Sequence, residues 1–396
     1  MLWMALASMT QNPIEASSRP TWAEIDLDAL AFNLRAIREK IGPRVKVLAA
    51  VKADAYGHGA VLCARRLQRE GVDWFGVAIV EEALELRRAG ISLPILCFDG
   101  FWPGQEGACL QKCITPVIHR LDAADALNIA ARARGVIFPV HVKIDTGMGR
   151  LGVRYDEVSE FAASFRRFES LRIEGLMTHF AAADEPDRDE FTRQQIARFR
   201  QAAEIFRAHG HQIALEHLAN SAATFAYPET HADMVRPGGA LYGLWRDVLH
   251  PKTKPADLRP VMSFRTRVML LKRIRRGETL GYGCTFEAPG EMLIAVLPVG
   301  YHDGYLRALS NRGRVVVRGK FAPVVGRISM DLTLIDVSAV EGVQVGDVVT
   351  LWGGAGEMAM PVEDVAQIAG TLSYEVTCGV SGRVPRIERF AETPCS

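Results

Sequence analysis

None of the seven cysteines (Cys63, Cys97, Cys109, Cys113, Cys284, Cys378 and Cys395) forms a C-x-x-C pair. That spacing excludes ribbon-type zinc sites and thioredoxin-like redox motifs, and no metal site is expected. An odd number of cysteines in a 396-residue chain fits reduced thiols and a cytoplasmic setting. Charge of one sign is also lacking: 47 Lys and Arg stand against 46 Asp and Glu, for a net of +1. No basic footprint therefore points to nucleic acid. Long hydrophobic runs are missing too, none approaching the roughly 18 residues that a membrane span needs. The opening MLWMALA has no positive residues before it and is soon broken by Ser8, Thr10 and Gln11. Residues 1–20 thus read as a disordered extension rather than a signal peptide.

What is present is alternation. Strand-like segments at 45–53, 74–79, 94–98, 114–118, 138–146, 171–180, 213–220 and 233–236 are separated by helical patterns. In Asp189–His209, for example, Ile196, Phe199, Ala203 and Phe206 mark one apolar face. Such repetition is the arithmetic of a (β/α)8 barrel, and strands apolar at most positions suit a parallel sheet covered by helices. The proline-rich stretch Arg246–Pro260 reads as a boundary, after which short β-branched runs (among them 261–271, 292–299, 314–317, 332–337 and 347–351) are punctuated by glycine. The expectation is a barrel over 21–250 and a smaller, mostly β domain over 251–396. The strand-like Trp22–Asp28 fits either.

The barrel predicts where chemistry should collect, because function sits at the carboxyl ends of its strands. Lys52 follows the first apolar run, in AVKADAYGHGA, and opens a small polar turn carrying Asp54, Tyr56 and His58. A lysine at the end of a buried strand is either snorkelling to solvent or a Schiff-base nucleophile. Asp145, Thr146 and Arg150 follow the fifth strand, His179 ends the sixth, and Asn220 and Ser221 follow the seventh. Arg236, Gly238 and Gly239 follow the eighth, where bare backbone amides suit a phosphate. A nucleophilic lysine sharing a rim with a phosphate cradle points to pyridoxal phosphate.

The motifs AVKADAYGHGA, KIDTGMGRLG, THFA, NSA, RPGGALYG, GYGCTF, PVGYHDGY, VGRISMDL and SYE resemble, in order and spacing, the alanine racemase family from Trp22 to about Arg386. The resemblance implies pyridoxal 5'-phosphate as cofactor, L-alanine and D-alanine as substrates, and a homodimer with shared active sites. It also implies a supply of D-alanine to peptidoglycan. Lys52 would hold the cofactor in Schiff-base linkage and act as one base, and Tyr282 of the other subunit would be the second. Tyr56, Ser221, Gly238, Gly239 and Tyr374 match the phosphate-holding positions, with Asn220 beside them. Arg236 would face the pyridine nitrogen, and His179 would link it to the tyrosine. Arg150 would contact the cofactor's phenolic oxygen and the substrate carboxylate, braced by Lys143, a position often carbamylated. Met330 would offer its backbone amide to the carboxylate, with Asp331 beside it, and Tyr301 would gate the entry channel. Ser329 stands where some members of the family have cysteine, and His302 where alanine is frequent.

The chemistry agrees. Racemisation needs an acidic Cα–H and a base on each face. A tyrosine, with an unperturbed pKa near 10, needs cationic or hydrogen-bonding help to serve as one. Rival readings are a racemase of broader range, a same-fold decarboxylase of basic amino acids, a non-catalytic PLP carrier and a phosphate-binding barrel without PLP. No cysteine–aspartate pair of the decarboxylase kind is visible, and a carrier normally lacks a second domain.

Overall fold

The structure is a computed structural model and describes residues 19–253, 257–354 and 356–389, so the expected N-terminal extension lies almost wholly outside it. The chain forms two units. One is the continuous segment Leu27–Val261; the other joins Met1–Asp26 to Met262–Ser396.

In the first unit eight parallel strands follow one another around a barrel: Lys46–Ala50, Trp74–Val77, Ile95–Cys97, Ile114–Ile118, Phe138–Asp145, Leu171–Met177, Leu215–His217 and Met234–Val235. The last pairs back onto the first. Between the seventh and eighth, the Asp233 and Arg236 amides donate to the carbonyls of Glu216 (3.1 Å) and Ala219 (2.9 Å) and nearly close the ring. All eight lie where the apolar runs suggested. Inside, Leu48, Trp74, Leu96, Val117, Met177, Leu215 and Met234 make one buried cluster. They come from seven different strands, so the interior is a packed core rather than a channel. The helix Asp189–Ala208 buries Ile196, Phe199, Ala203 and Phe206, the face its periodicity marked. Ile196 and the two phenylalanines each contribute roughly 1.5–3 kcal/mol by leaving water, and Ala203 less.

In the second unit a six-stranded sheet runs in the order Lys320–Pro323, Arg314–Val317, Val348–Trp352, Met262–Arg267, Trp22–Ile25 and Arg386–Glu388. The N-terminal strand therefore belongs here, antiparallel to Met262–Arg267 and parallel to Arg386–Glu388. A three-stranded sheet holds Leu270–Ile274, Met292–Leu297 and Thr333–Asp336. The apolar run 261–271, continuous in sequence, is divided between these sheets. The Val268 amide donates to Asp347 O in the first, and the Met269 amide to Val296 O in the second. Two short strands, Thr279–Leu280 and Phe286–Glu287, make a hairpin. Among the described residues no helix is long and apolar enough to cross a membrane.

Candidate active site

The first barrel strand ends at Ala50, and Lys52 opens the turn beyond it, half-buried. That turn is unusual. Ala53, Asp54, Ala55 and Tyr56 all have φ between 52° and 54°, the left-handed region, without a glycine among them. Left-handed backbone costs an L-residue roughly 1–2 kcal/mol, so four in a row persist only where surroundings over-determine them. The surroundings do so here. The Ala53 amide donates to Glu82 Oε1 at 2.7 Å, and the Ala60 amide to Asp54 Oδ1 at 2.7 Å. His58 Nδ1 lies 3.0 Å from Ala55 O and 2.9 Å from Tyr56 O. The helix Ala60–Arg69 then begins, with Gly59 at its cap.

The turn carries Tyr56 to the eighth strand end. A Cβ added to Gly238 would overlap the Tyr56 hydroxyl, so this glycine makes the room that the tyrosine occupies. The Gly238 amide donates to Ser221 Oγ at 2.9 Å and the Ala240 amide to the same oxygen at 3.3 Å. Asn220 caps the helix Ser221–Ala226 by accepting from the Ala223 amide at 3.0 Å. Tyr242 stacks on His58 (4.6 Å between centroids), and its hydroxyl donates to Ala50 O at 2.9 Å. Tyr56, Ser221, Gly238 and Gly239 thus meet around one small polar cradle.

The rest of the rim is cationic. Lys143 sits in the fifth strand, buried, and its pKa is pulled down to about 8 by that burial and by the charges of Arg150, Arg236 and Lys52, with Asp99 acting the other way. Arg236 is buried and holds three carbonyls: Thr178 O and His217 O at 2.5 Å and Leu218 O at 3.0 Å. Burial lowers its pKa to about 9, which leaves it a guanidinium at neutral pH. His179 Nδ1 lies 3.4 Å from Arg236 NH2. Burial and the surrounding cations Arg236, Lys143, Arg150 and Lys52 drive His179 well below its ordinary range, so the imidazole is neutral. The loop before Arg150 is pinned by Asp145, which accepts from the Gly147 amide at 3.0 Å and the Gly149 amide at 3.1 Å. Arg150 itself is exposed.

The remaining residues singled out in the sequence lie in the second unit. Tyr282 occupies the turn of the hairpin between strands Thr279–Leu280 and Phe286–Glu287 and is 72% exposed. Tyr301 and Met330 belong to two stretches stitched backbone to backbone: the Tyr301 amide donates to Ser329 O and the His302 amide to Met330 O, both at 3.1 Å. Gly300 is required there, because a Cβ would overlap the Ser329 and Met330 carbonyls. Asp331 accepts from Arg383 at 2.7 Å, and Arg383 also binds the buried Asp303 at 2.6 and 3.0 Å. Tyr374 is half-buried in the short helix Ser373–Cys378. Sequence reasoning missed Glu82, Asp303 and Arg383. Only the last two carried any signal, as charged residues within otherwise apolar and glycine-rich runs.

Comparison with known proteins covers both units. Residues 25–245 match the family model described as alanine racemase, N-terminal domain, and residues 261–388 match the one described as alanine racemase, C-terminal domain. The alanine racemase of Halothermothrix orenii is 43% identical over 371 residues, 93% of this chain and 97% of the relative. That of Syntrophobacter fumaroxidans is 44% identical over 361 residues, 91% and 95% of the two chains. Among solved structures, alanine racemase from a D-cycloserine-producing Streptomyces lavendulae superposes with a TM-score of 0.88 at 37% identity, covering 95% of this chain and 98% of that one. The Bacillus anthracis enzyme with bound L-Ala-P gives 0.88 at 35% identity, over 94% and 96%.

Proposed function

The chain belongs to the alanine racemase family and is an isomerase of that kind; from this premise we propose that it interconverts L-alanine and D-alanine with pyridoxal 5'-phosphate, as a homodimer with shared active sites. The observation that carries the reading is the pairing of a cationic rim (Lys52, Lys143, Arg150, Arg236) with the cradle of Tyr56, Ser221 and Gly238. Such a mouth suits a ligand carrying a phosphate and a second anionic group, beside a lysine able to bind it covalently.

When bound, pyridoxal phosphate supplies the electron sink that makes the alanine Cα–H acidic. The residues of this chain do the rest. Tyr56, Ser221, Gly238 and Gly239, with Tyr374, hold the phosphate. Arg236 remains a donor at neutral pH, so it would leave the ring nitrogen unprotonated and moderate the sink. Arg150 binds the substrate carboxylate, with the Met330 amide and Asp331 alongside and Tyr301 at the entrance. Lys52 moves the proton on one face of Cα and Tyr282 of a second copy on the other. His179 accepts from Arg236 at Nδ1, so its proton is on Nε2, where it donates to the tyrosine oxygen and favours the phenolate.

Lys143 is the residue to be carbamylated. Its lowered pKa raises the free amine, the form that adds CO2 and then loses a proton, to about a tenth at neutral pH, and the product turns a repelled cation into an anion facing Arg150. A cytoplasmic location and delivery of D-alanine to peptidoglycan complete the proposal. The experiment mixes the protein with L-alanine in D2O and follows the α-proton signal and optical rotation, with and without PLP. PLP-dependent loss of both is expected. A yellow protein that exchanges no α-proton would overturn the reading and direct attention to CO2 release from basic amino acids.

A further inference from the structure

Below the rim, four side chains follow one another through the barrel. Arg236 NH1 lies 3.2 Å from His217 Nδ1, and His217 Nε2 lies 2.8 Å from His141 Nδ1. His141 Nε2 in turn faces Glu174 Oε2 at 3.6 Å. Arg236, His217 and His141 are buried, whereas the Glu174 side chain is 21% exposed and paired with Arg172 at 3.3 Å. The row is built into the fold: a Cβ at Gly175 would come within 2.7 Å of the His141 ring, and Trp74 flanks that ring at 5.4 Å.

The proton positions follow from direction. A guanidinium only donates, so His217 Nδ1 accepts. Burial holds both imidazoles below their ordinary range, with Glu174 opposing it at His141 and the Arg236 charge adding to it at both, so each ring carries one proton. That of His217 is therefore on Nε2 and donates to His141 Nδ1. That of His141 is on Nε2, where no group lies within hydrogen-bond distance and the Glu174 carboxylate is the anion it faces.

The geometry points to Glu174 as a remote positioning residue that fixes Arg236 through one tautomer of His141 and one of His217. The step to catalysis rests on the proposed place of Arg236 at the cofactor ring. Without the carboxylate only the Arg236 end still biases the row, and the Nδ1–H tautomer of His141 gains population. His217 Nε2 must then accept, its own proton shifts to Nδ1, and that N–H meets the Arg236 N–H donor to donor. Arg236 then keeps its bonds to the Thr178, His217 and Leu218 carbonyls but is repelled at NH1, which tilts the guanidinium about them.

The test labels histidine with 15N in the cofactor-free protein and compares wild type with Glu174→Ala and Glu174→Gln. Wild type and Glu174→Gln, which keeps an acceptor oxygen, should show Nε2–H at both histidines. Glu174→Ala should show a mixture with Nδ1–H at both. In the PLP-loaded enzyme, Glu174→Ala should lower kcat about tenfold to a hundredfold with KM for alanine little changed, as expected for misplacement of a remote group. Should Glu174→Ala fail to fold, Glu174→Asp shortens the reach to His141 and reads the same change. Nδ1–H at His217 in wild type, or unchanged tautomers in both shortened variants, would overturn the proposal. Tautomers that respond in a protein unable to racemise alanine would instead refute the functional reading and leave the relay standing.

Discussion

Removing the Glu82 carboxylate should release the turn that aims Lys52. With φ near +53° at Ala53, Asp54, Ala55 and Tyr56, the stored strain is about 4–8 kcal/mol at roughly 1–2 kcal/mol for each residue. Part of it is offset by the turn's own bonds, Ala55 N to Val51 O and Gly57 N to Ala53 O, both 2.9 Å. Glu82 supplies the outside clamp: Oε1 accepts from the Ala53 amide and Oε2 from the Ala78 amide, each at 2.7 Å. A hydrogen bond to a charged acceptor contributes about 1.5–3 kcal/mol, less where the donor can turn to water, as the exposed Ala53 can. Glu82→Ala should therefore cost about 2–4 kcal/mol in urea unfolding of the cofactor-free protein. It should also weaken the absorbance of Lys52-bound cofactor. Glu82→Gln, which keeps one acceptor, should fall between. Conversely, Ala53→Gly should stabilise by about 1 kcal/mol, since glycine enters the left-handed region freely. A Glu82→Ala protein of wild-type stability and absorbance would show that the turn holds itself, and would refute the clamp.

Other consequences are equally open to measurement. Lys52→Ala should abolish bound-cofactor absorbance, and retained absorbance would sink its assignment. Tyr282→Phe should slow α-deuterium exchange from L-alanine more than from D-alanine; equal losses would count against opposed bases. Gly238→Ala, which places a methyl on the Tyr56 hydroxyl, should weaken PLP binding at least about tenfold, roughly 1.4 kcal/mol, by equilibrium titration. Lys143 has its folded pKa lowered to about 8 from 10.5, so the unfolded chain binds the extra proton between those values. With CO2 excluded so that Lys143 stays a free amine, cofactor-free wild type should accordingly gain about 2–3 kcal/mol over Lys143→Met as pH rises from 8 to 10.5. A parallel pH dependence in the two proteins would contradict that.

The barrel was legible because each strand is a dense apolar run bounded by turn residues, and the rim because its polar residues interrupt those runs where strands must end. The left-handed turn was not. Alanine carries no signature for positive φ, and the clamp that enforces it comes from Glu82, twenty-nine residues after Ala53. The histidine row escaped notice for a related reason. His141 stands two residues before Lys143 on the inward face of one strand, but its meaning depends on His217, seventy-six residues away. Nor could the run at 261–271 show that its partners change between Val268 and Met269, because both halves are equally apolar and only pairing distinguishes them.

The sheet position of Trp22–Ile25 sets a timetable for the nascent chain. Its two neighbours, Met262–Arg267 and Arg386–Glu388, leave the ribosome long after it does. At about 5–20 residues per second, the 236 positions between Ile25 and Met262 take about 12–47 s to synthesise. Throughout that interval the barrel segment can complete itself, while the first strand waits as an unpaired ribbon. Four residues including Glu24 make a poor template for aggregation. Deleting them should leave a barrel that folds and a β unit with a slot in its sheet, so an added peptide of that sequence could be asked to fill the gap.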